Sequence, residues 1–330
     1  MKELIKKFTS AFSVSGSENE LADMIEELLK PAADSVTRDA MGNLTVFKKG
    51  KDRSRKMMVA AHMDEIGFIA TGYEKNGLVK CAPVGGINAV ASSYTPVHFK
   101  NGAKGVIIIE DGTENADITN KKLFIDIGAD SESRAKRRVY IGEPAACAAS
   151  FIQLSANRIS AKAFDDRIGC AIAAYAALNL KEFAYDTYFV FTVQEELGCR
   201  GAKPASFTVM PDYSVALDIT PAPAVGNPKK LTVKLGEGAA IKIRDSSVIC
   251  STEMVERLAF LAETEGIKYQ YEVLPAGGTD TSQMQIAGSG SKAVCISIPT
   301  RYTHTPVETI DLRDCAACEK LLESLLRYGV

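Results

Sequence analysis

The sequence predicts an α/β fold: a mixed, largely parallel sheet with helices on both faces, interrupted by a small β-rich domain. Three observations carry that expectation. After Asp165, strand-like apolar runs alternate with segments of helical period, as strands joined by helical crossovers do. Over residues 72–143 the pattern changes to short β-like runs between Gly, Asn, Asp and Pro, with no long amphipathic helix. The chain has 330 residues, and at about 100–200 residues per domain that leaves room for two. Residues 1–71 and 144–330 therefore read as one discontinuous domain, and 72–143 as an insertion.

Residues 17–30 read as an amphipathic helix. Leu21, Met24, Ile25, Leu28 and Leu29 share a face, Ser17 and Glu20 fit a capping box, and Pro31 stops it. Residues 35–39 and 44–48 flank Gly42-Asn43 as a hairpin-like pair. Residues 57–61 form a short buried strand with His62-Met63-Asp64 at its end. The insertion contributes β-like runs at 97–99, 106–109 and 123–127. Residues 167–180 then read as a helix, and 187–192 as a strand with Glu195-Glu196 just beyond it. A strand at 214–217 ends at Asp218. Residues 255–265 read as a helix, 293–298 as a strand and 312–328 as a helix.

Composition narrows the function. Lys plus Arg is 39 and Asp plus Glu is 41. A near-neutral chain lacks the basic excess that nucleic acid or a membrane surface calls for, so neither is expected as a partner. No apolar run reaches the roughly 18 residues of a bilayer span. The start, MKELIKKFTSAFSVSGSENE, has no continuous apolar core and no small-residue cleavage site, so the cytoplasm is the expected location. The eight cysteines read as reduced core residues. Cys315 and Cys318 have CxxC spacing, but no second pair accompanies them to complete a zinc site.

In sheets of this kind ligands sit beyond the carboxyl ends of the strands. His62, Asp64, Glu195, Glu196 and Asp218 all fall there. A two-metal hydrolytic site needs ligands converging from separate elements, a carboxylate to bridge the ions, and a free carboxylate to take a proton. His62 and Asp64 are two apart, so an extended segment points both to one side and Asp64 can orient the His62 ring. Asp165 precedes a helix and suits a bridging role. Glu195 and Glu196 offer adjacent carboxylates, one to ligate and one to act as base, and His304 completes the set. Each piece alone has a plainer explanation: an Asp pair caps helices, a Glu pair is usually a solvated surface, and His98, with no acidic companion, reads as structural. The combined order HxD, DD, EE, D, H is far more specific.

At these residues the chain resembles the M42 family of dinuclear metallo-aminopeptidases, the glutamyl-aminopeptidase-like or TET-type enzymes. The resemblance is carried by AHMDEIGF (61–68), AKAFDDRIG (161–169), QEELGCRGA (194–202), ALDIT (216–220), GGTD (277–280) and PTRYTHTPVE (299–308), and runs nearly end to end. It implies that His62, Asp165 and Asp218 bind one divalent ion and Asp165, Glu196 and His304 a second, with zinc or cobalt favoured and manganese allowed by the ligand types. It implies Glu195 as general base, Asp64 as the carboxylate behind His62, and a cis peptide between Asp165 and Asp166. Short peptides are the implied substrates, and a homo-oligomer, a dodecamer built of dimers, the implied assembly.

Spacing separates this family from others with the same order of residues. Between His62 and Asp165 lies too long a stretch for one loop, and the β-rich segment fills it. M42 enzymes carry their insertion there, whereas deacylase relatives of the M20 type carry theirs before the last histidine. An aspartyl-aminopeptidase-like enzyme, which also has an early insertion, stays open. A glycoside hydrolase would use two carboxylates without metals, and a non-catalytic assembly protein would not need Glu195 and five ligands together. Within the insertion, Val84-Gly85-Gly86 is followed by Ile87-Asn88-Ala89-Val90, where the family usually has a D-P-R-like turn.

Overall fold

Alternation along the strand Asp52–His62 builds both faces of the main sheet. Met57, Val59 and Ala61 face one core, which they share with Ile168 and Ile172 of the segment Phe164–Asn179 and with Leu321 and Leu325 of the helix Leu312–Tyr328. Met58 and Ala60 face the other, beside Ala205 and Val209 of the helix Ala202–Val209 and Met284 of the helix Thr281–Gln285. A strand buried on both faces needs an almost continuous apolar run, and Met57-Met58-Val59-Ala60-Ala61 supplies it. The computed structural model describes residues 1–227 and 230–330.

The sheet runs Ser35–Arg38, Leu44–Lys48, Tyr185–Thr192, Asp52–His62, Tyr213–Pro221, Lys292–Arg301, Glu308–Asp311, Arg158–Ala161, Ile152–Gln153. Ala239–Arg244 pairs with Lys292–Arg301 and with Tyr269–Val273. The fold is mixed α/β as expected, but the sheet is less parallel than the sequence suggests. Parallel pairing is confined to the central strands from Tyr185–Thr192 to Lys292–Arg301 and to Ala239–Arg244 with Tyr269–Val273. The outer pairs are antiparallel. Parallel neighbours need a crossover of about a dozen residues or more, which the helical connections provide at the centre and, through the helix Thr252–Glu265, between Ala239–Arg244 and Tyr269–Val273. Short links such as those around Gly42 and His304 join antiparallel neighbours.

The expected capping box is not made. The helix is Asn19–Leu29, capped at Glu18 without a side-chain bond to its amides. Glu18 turns inward instead, where its Oε1 accepts the N–H of Gly16 at 2.7 Å and of Gln194 at 3.2 Å. The first residues are also a helix, Lys2–Ser10, with Ile5 and Phe8 buried in the main core. Among the described residues no helix is long and apolar enough to cross a membrane. Cys315 and Cys318 are buried in the helix Leu312–Tyr328.

Gly67–Tyr73, Val79–Val84, Leu123–Asp126, Lys104–Ile109, Pro96–Phe99 and Pro144–Cys147 close, in that order, into an antiparallel barrel. Phe68, Val79, Val97, Phe99, Ile107, Leu123 and Ile125 fill it, a core separate from that of the sheet. Alternation explains the partition: Val97 and Phe99 point inward, and His98 between them points out and meets Phe12 edge-on at 5.4 Å. The barrel begins before residue 72 and ends after 143. The strand pair that seals it, Phe68 opposite Ala145, is also where the chain leaves and rejoins the main fold.

Candidate active site

The carboxyl ends of the central strands bring the expected residues together. His62 ends its strand, and Glu195 and Glu196 lie in the turn after Tyr185–Thr192. Asp218 lies inside its strand, opposite Ser297, because Ile219 and Thr220 continue the pairing to Pro221. Asp165 and Asp166 form a break (ψ 106° and 43°) before the helix proper, and the peptide between them is cis. His304 follows the strand Lys292–Arg301.

Asp165 stands between two groups. Its Oδ1 lies 3.0 Å from His62 Nε2, which is 4.0 Å from Asp218 Oδ1. Its Oδ2 lies 3.2 Å from His304 Nε2, which is 3.3 Å from Glu196 Oε1. Two potential ligand clusters, His62/Asp165/Asp218 and Asp165/Glu196/His304, therefore share one carboxylate, each with its donor atoms within 4.8 Å of one another. Imidazole nitrogen and carboxylate oxygen suit borderline divalent ions. Glu195 sits beside the clusters without joining either.

Asp64 has a wider role than the sequence implies. The nearest atom of Asp64 to His62 Nδ1 is its main-chain oxygen, at 3.1 Å, with its carboxylate at 3.4 Å. The carboxylate accepts the N–H groups of Glu195 at 2.9 Å and Glu196 at 3.2 Å, and the Ser15 hydroxyl at 2.5 Å. One buried side chain thus ties the His62 strand to the Glu195-Glu196 turn.

Electrostatics mark the same residues. Burial, then the neighbouring carboxylates, pushes Asp166, Asp218, Glu195 and Glu196 above the usual carboxylate range. Burial would also raise Asp165, but His304 and His62 hold it below that range. Burial opposes the charge on His304, yet Asp165 and Glu196 lift its pKa to about 12. So many mutually raised acids in one place are the environment that a cation relieves.

Several supporting residues were not legible in sequence. Glu308 is buried, and its two oxygens accept the main-chain N–H groups of Asp165 at 3.1 Å and His304 at 2.9 Å. Asp166 accepts the N–H of His62 at 3.2 Å and of Gly169 at 2.9 Å. The barrel reaches the site through Gly86, whose carbonyl lies 3.0 Å from His304 Nδ1. Ala163, Gln194 and His304 have left-handed backbones, with φ of 55°, 54° and 58°, and such strain gathers at functional sites. The glycine pair before the unusual Ile87-Asn88 turn was the signal available for Gly86. A Cβ at Gly86 would sit 2.7 Å from His304 Nδ1. Gly86→Ala should therefore turn the ring and weaken metal retention by about 10–100-fold, the scale of losing a ligand's orienting partner. Dialysis against graded chelator, read by elemental analysis, checks this; wild-type retention would mean that the ring accommodates the methyl.

A cleft of about 870 Å³ opens beside the clusters, with Glu195, Asp218, Ile219, Leu274, Gly278 and His304 on its walls. The model of the M42 glutamyl aminopeptidase family matches residues 42–321. A relative in Acetivibrio thermocellus is 41% identical over 323 residues, 98% of this chain and 97% of its own. The lysyl aminopeptidase of Pyrococcus furiosus is 33% identical over 337 residues, 98% of this chain and 96% of its own. The TET1 peptidase of Pyrococcus horikoshii, which can assemble into a tetrahedron or a large octahedral shell, superposes with a TM-score of 0.91 at 33% identity over 99% of each chain. The match takes in the sheet, the barrel and every residue of the cluster, and by it this chain belongs to the M42 family of metallo-aminopeptidases and is a hydrolase.

Proposed function

We propose that this chain removes N-terminal residues from short peptides with two divalent ions, zinc or cobalt before manganese, and a glutamate general base. One observation carries the reading: the two oxygens of Asp165 face opposite ways, one toward His62 and Asp218, the other toward His304 and Glu196. When bound, divalent ions supply Lewis acidity to the scissile carbonyl and make water easier to deprotonate. Glu195 takes the proton of the attacking water and passes it to the leaving amine. Asp64 holds Glu195 and Glu196 through their main-chain amides, so the base and its neighbour keep a fixed relation to His62.

The purified protein loaded with each of the three metals and offered a panel of aminoacyl-p-nitroanilides tests this. Turnover should vanish with chelator and return with metal; turnover indifferent to chelator would overturn it. His62→Ala and His304→Ala should each bring the metal content toward one ion per chain, because each removes a ligand from a different cluster. Two tightly held ions in either variant would remove the ligand assignment.

The same proposal gives the sheet domain the chemistry and makes the inserted barrel an access and assembly domain in a homo-oligomer, a dodecamer built of dimers. In support, Gly86 of the barrel touches His304, and the barrel exposes Val90, Tyr94, Tyr140 and Ile141. The tetrahedral assembly of the Pyrococcus horikoshii relative points the same way. Because Phe68 pairs with Ala145, the ends left by deleting residues 72–143 lie close enough for a short linker to join them. That deletion should give a smaller species by light scattering; an unchanged oligomer would put the interfaces on the sheet domain.

A further inference from the structure

Beside the two clusters lies a third group of ligand-type side chains, Glu195, Cys199 and Asp280, whose donor atoms are within 4.8 Å of one another. The Cys199 thiol donates to Glu195 Oε1 at 3.2 Å. Cys199 is 9% exposed and stands on the wall of the cleft. Asp280 is 3% exposed; its Oδ2 accepts the Thr192 hydroxyl at 2.5 Å, but its Oδ1 is buried with no hydrogen-bond partner. A buried carboxylate oxygen left unpaired is costly, and a cation held between it, the thiol and Glu195 would satisfy it.

We propose that Glu195, Cys199 and Asp280 form a further cation site, distinct from the two Asp165 clusters and selective for thiophilic ions such as cadmium or excess zinc, whose occupation blocks turnover. Selectivity follows from the sulfur. Thiolate favours soft and borderline ions over magnesium, calcium or manganese, which prefer oxygen. On binding, a metal–sulfur bond forms, the S–H bond breaks and its proton passes to solvent; no electron is transferred. The inhibition follows from Glu195, because an oxygen that ligates an ion cannot also take a proton from water. That arm rests on Glu195 being the general base; the binding arm does not.

Cadmium titration of the full-length protein, with two equivalents of zinc already bound, tests both arms. A third ion per chain should bind, with a thiolate-to-cadmium charge-transfer band in the ultraviolet, and kcat should fall in step with that band. Cys199→Ser should abolish the band and weaken the third ion by more than the roughly 10–100-fold that follows loss of a ligand's orienting partner, while total zinc stays at two per chain. Asp280→Asn should weaken the third ion and keep the band at saturation. Two ions per chain throughout, or a band that persists in Cys199→Ser, would overturn the site and leave the aminopeptidase reading intact. A band with undiminished turnover would overturn the inhibitory arm, because Glu195 could not then be both a ligand of the third ion and the base.

Discussion

Glu195→Gln should lower kcat by about 10²–10⁴-fold, the usual worth of a positioned proton acceptor, with metal content and fold unchanged. The substitution keeps the size of the side chain and an oxygen to accept from Cys199. It also leaves the backbone tether alone, because Asp64 holds residue 195 through its main-chain N–H. What is lost is the ability to take a proton. Steady-state kinetics on a cleaved aminoacyl substrate, paired with elemental analysis, reads the effect. More than about a third of the wild-type kcat, far above the range for a lost general base, would put the base elsewhere.

Arg167→Met should destabilise the fold by about 3–5 kcal/mol, the cost of breaking a buried ion pair by removing one partner. Arg167 is the largest fully buried side chain. Its Nη1 donates to the carbonyls of Phe8 at 2.7 Å and Ala11 at 3.2 Å, at the end of the helix Lys2–Ser10. Its Nη2 donates to Glu65 Oε1 at 3.0 Å, and Lys162 Nζ donates to both Glu65 oxygens at 2.8 and 2.6 Å. One network therefore pins the first helix, the loop after His62 and the segment carrying Asp165. Equilibrium denaturation at matched protein concentration measures the loss, and a midpoint equal to wild type would contradict it.

The same network sets an acid limit. Burial would raise the Glu65 carboxyl, but Lys162 and Arg167 hold it below its ordinary value. A group depressed in the folded state adds stability that is present above its unfolded pKa and is lost as pH falls through its folded pKa. Without Arg167 that folded value rises, so acid unfolding of the variant should begin at higher pH than in wild type.

Particular residues mark how far sequence reasoning reaches. His62, Asp165, Glu195, Glu196, Asp218 and His304 were legible because each lies at or near the end of a strand or helix whose period shows in a short window. Glu308 was not, although it lies four residues from His304, because an acid two residues past Pro306 looks like any loop acid until its oxygens are seen on two backbone amides. Ser17 and Glu20 misled for the opposite reason: they fit a local capping rule, but the helix starts at Asn19 behind Glu18, whose carboxylate turns to Gly16 and the distant Gln194. The opening helix was missed because its apolar residues are few and interspersed with lysines, and its burial depends on packing against a segment far along the chain.

By itself the sequence determined the alternation of buried strands and helices, the presence and place of a β-rich insertion, and the set of nitrogen and oxygen donors from which a metal site could be made. These are properties of windows of a few to some fifteen residues, where side-chain period and residue chemistry act locally. The tertiary structure alone decided that parallel pairing is confined to the central strands and the Ala239–Arg244/Tyr269–Val273 pair, and that Phe68 and Ala145 seal the barrel. It also decided that the two oxygens of Asp165 face different histidines, that Gly86 backs His304, and that Asp280 lies beside Cys199 and Glu195. Each of those depends on strand register and on the crossing of chain segments distant in sequence, which packing of the two cores selects and no single window encodes.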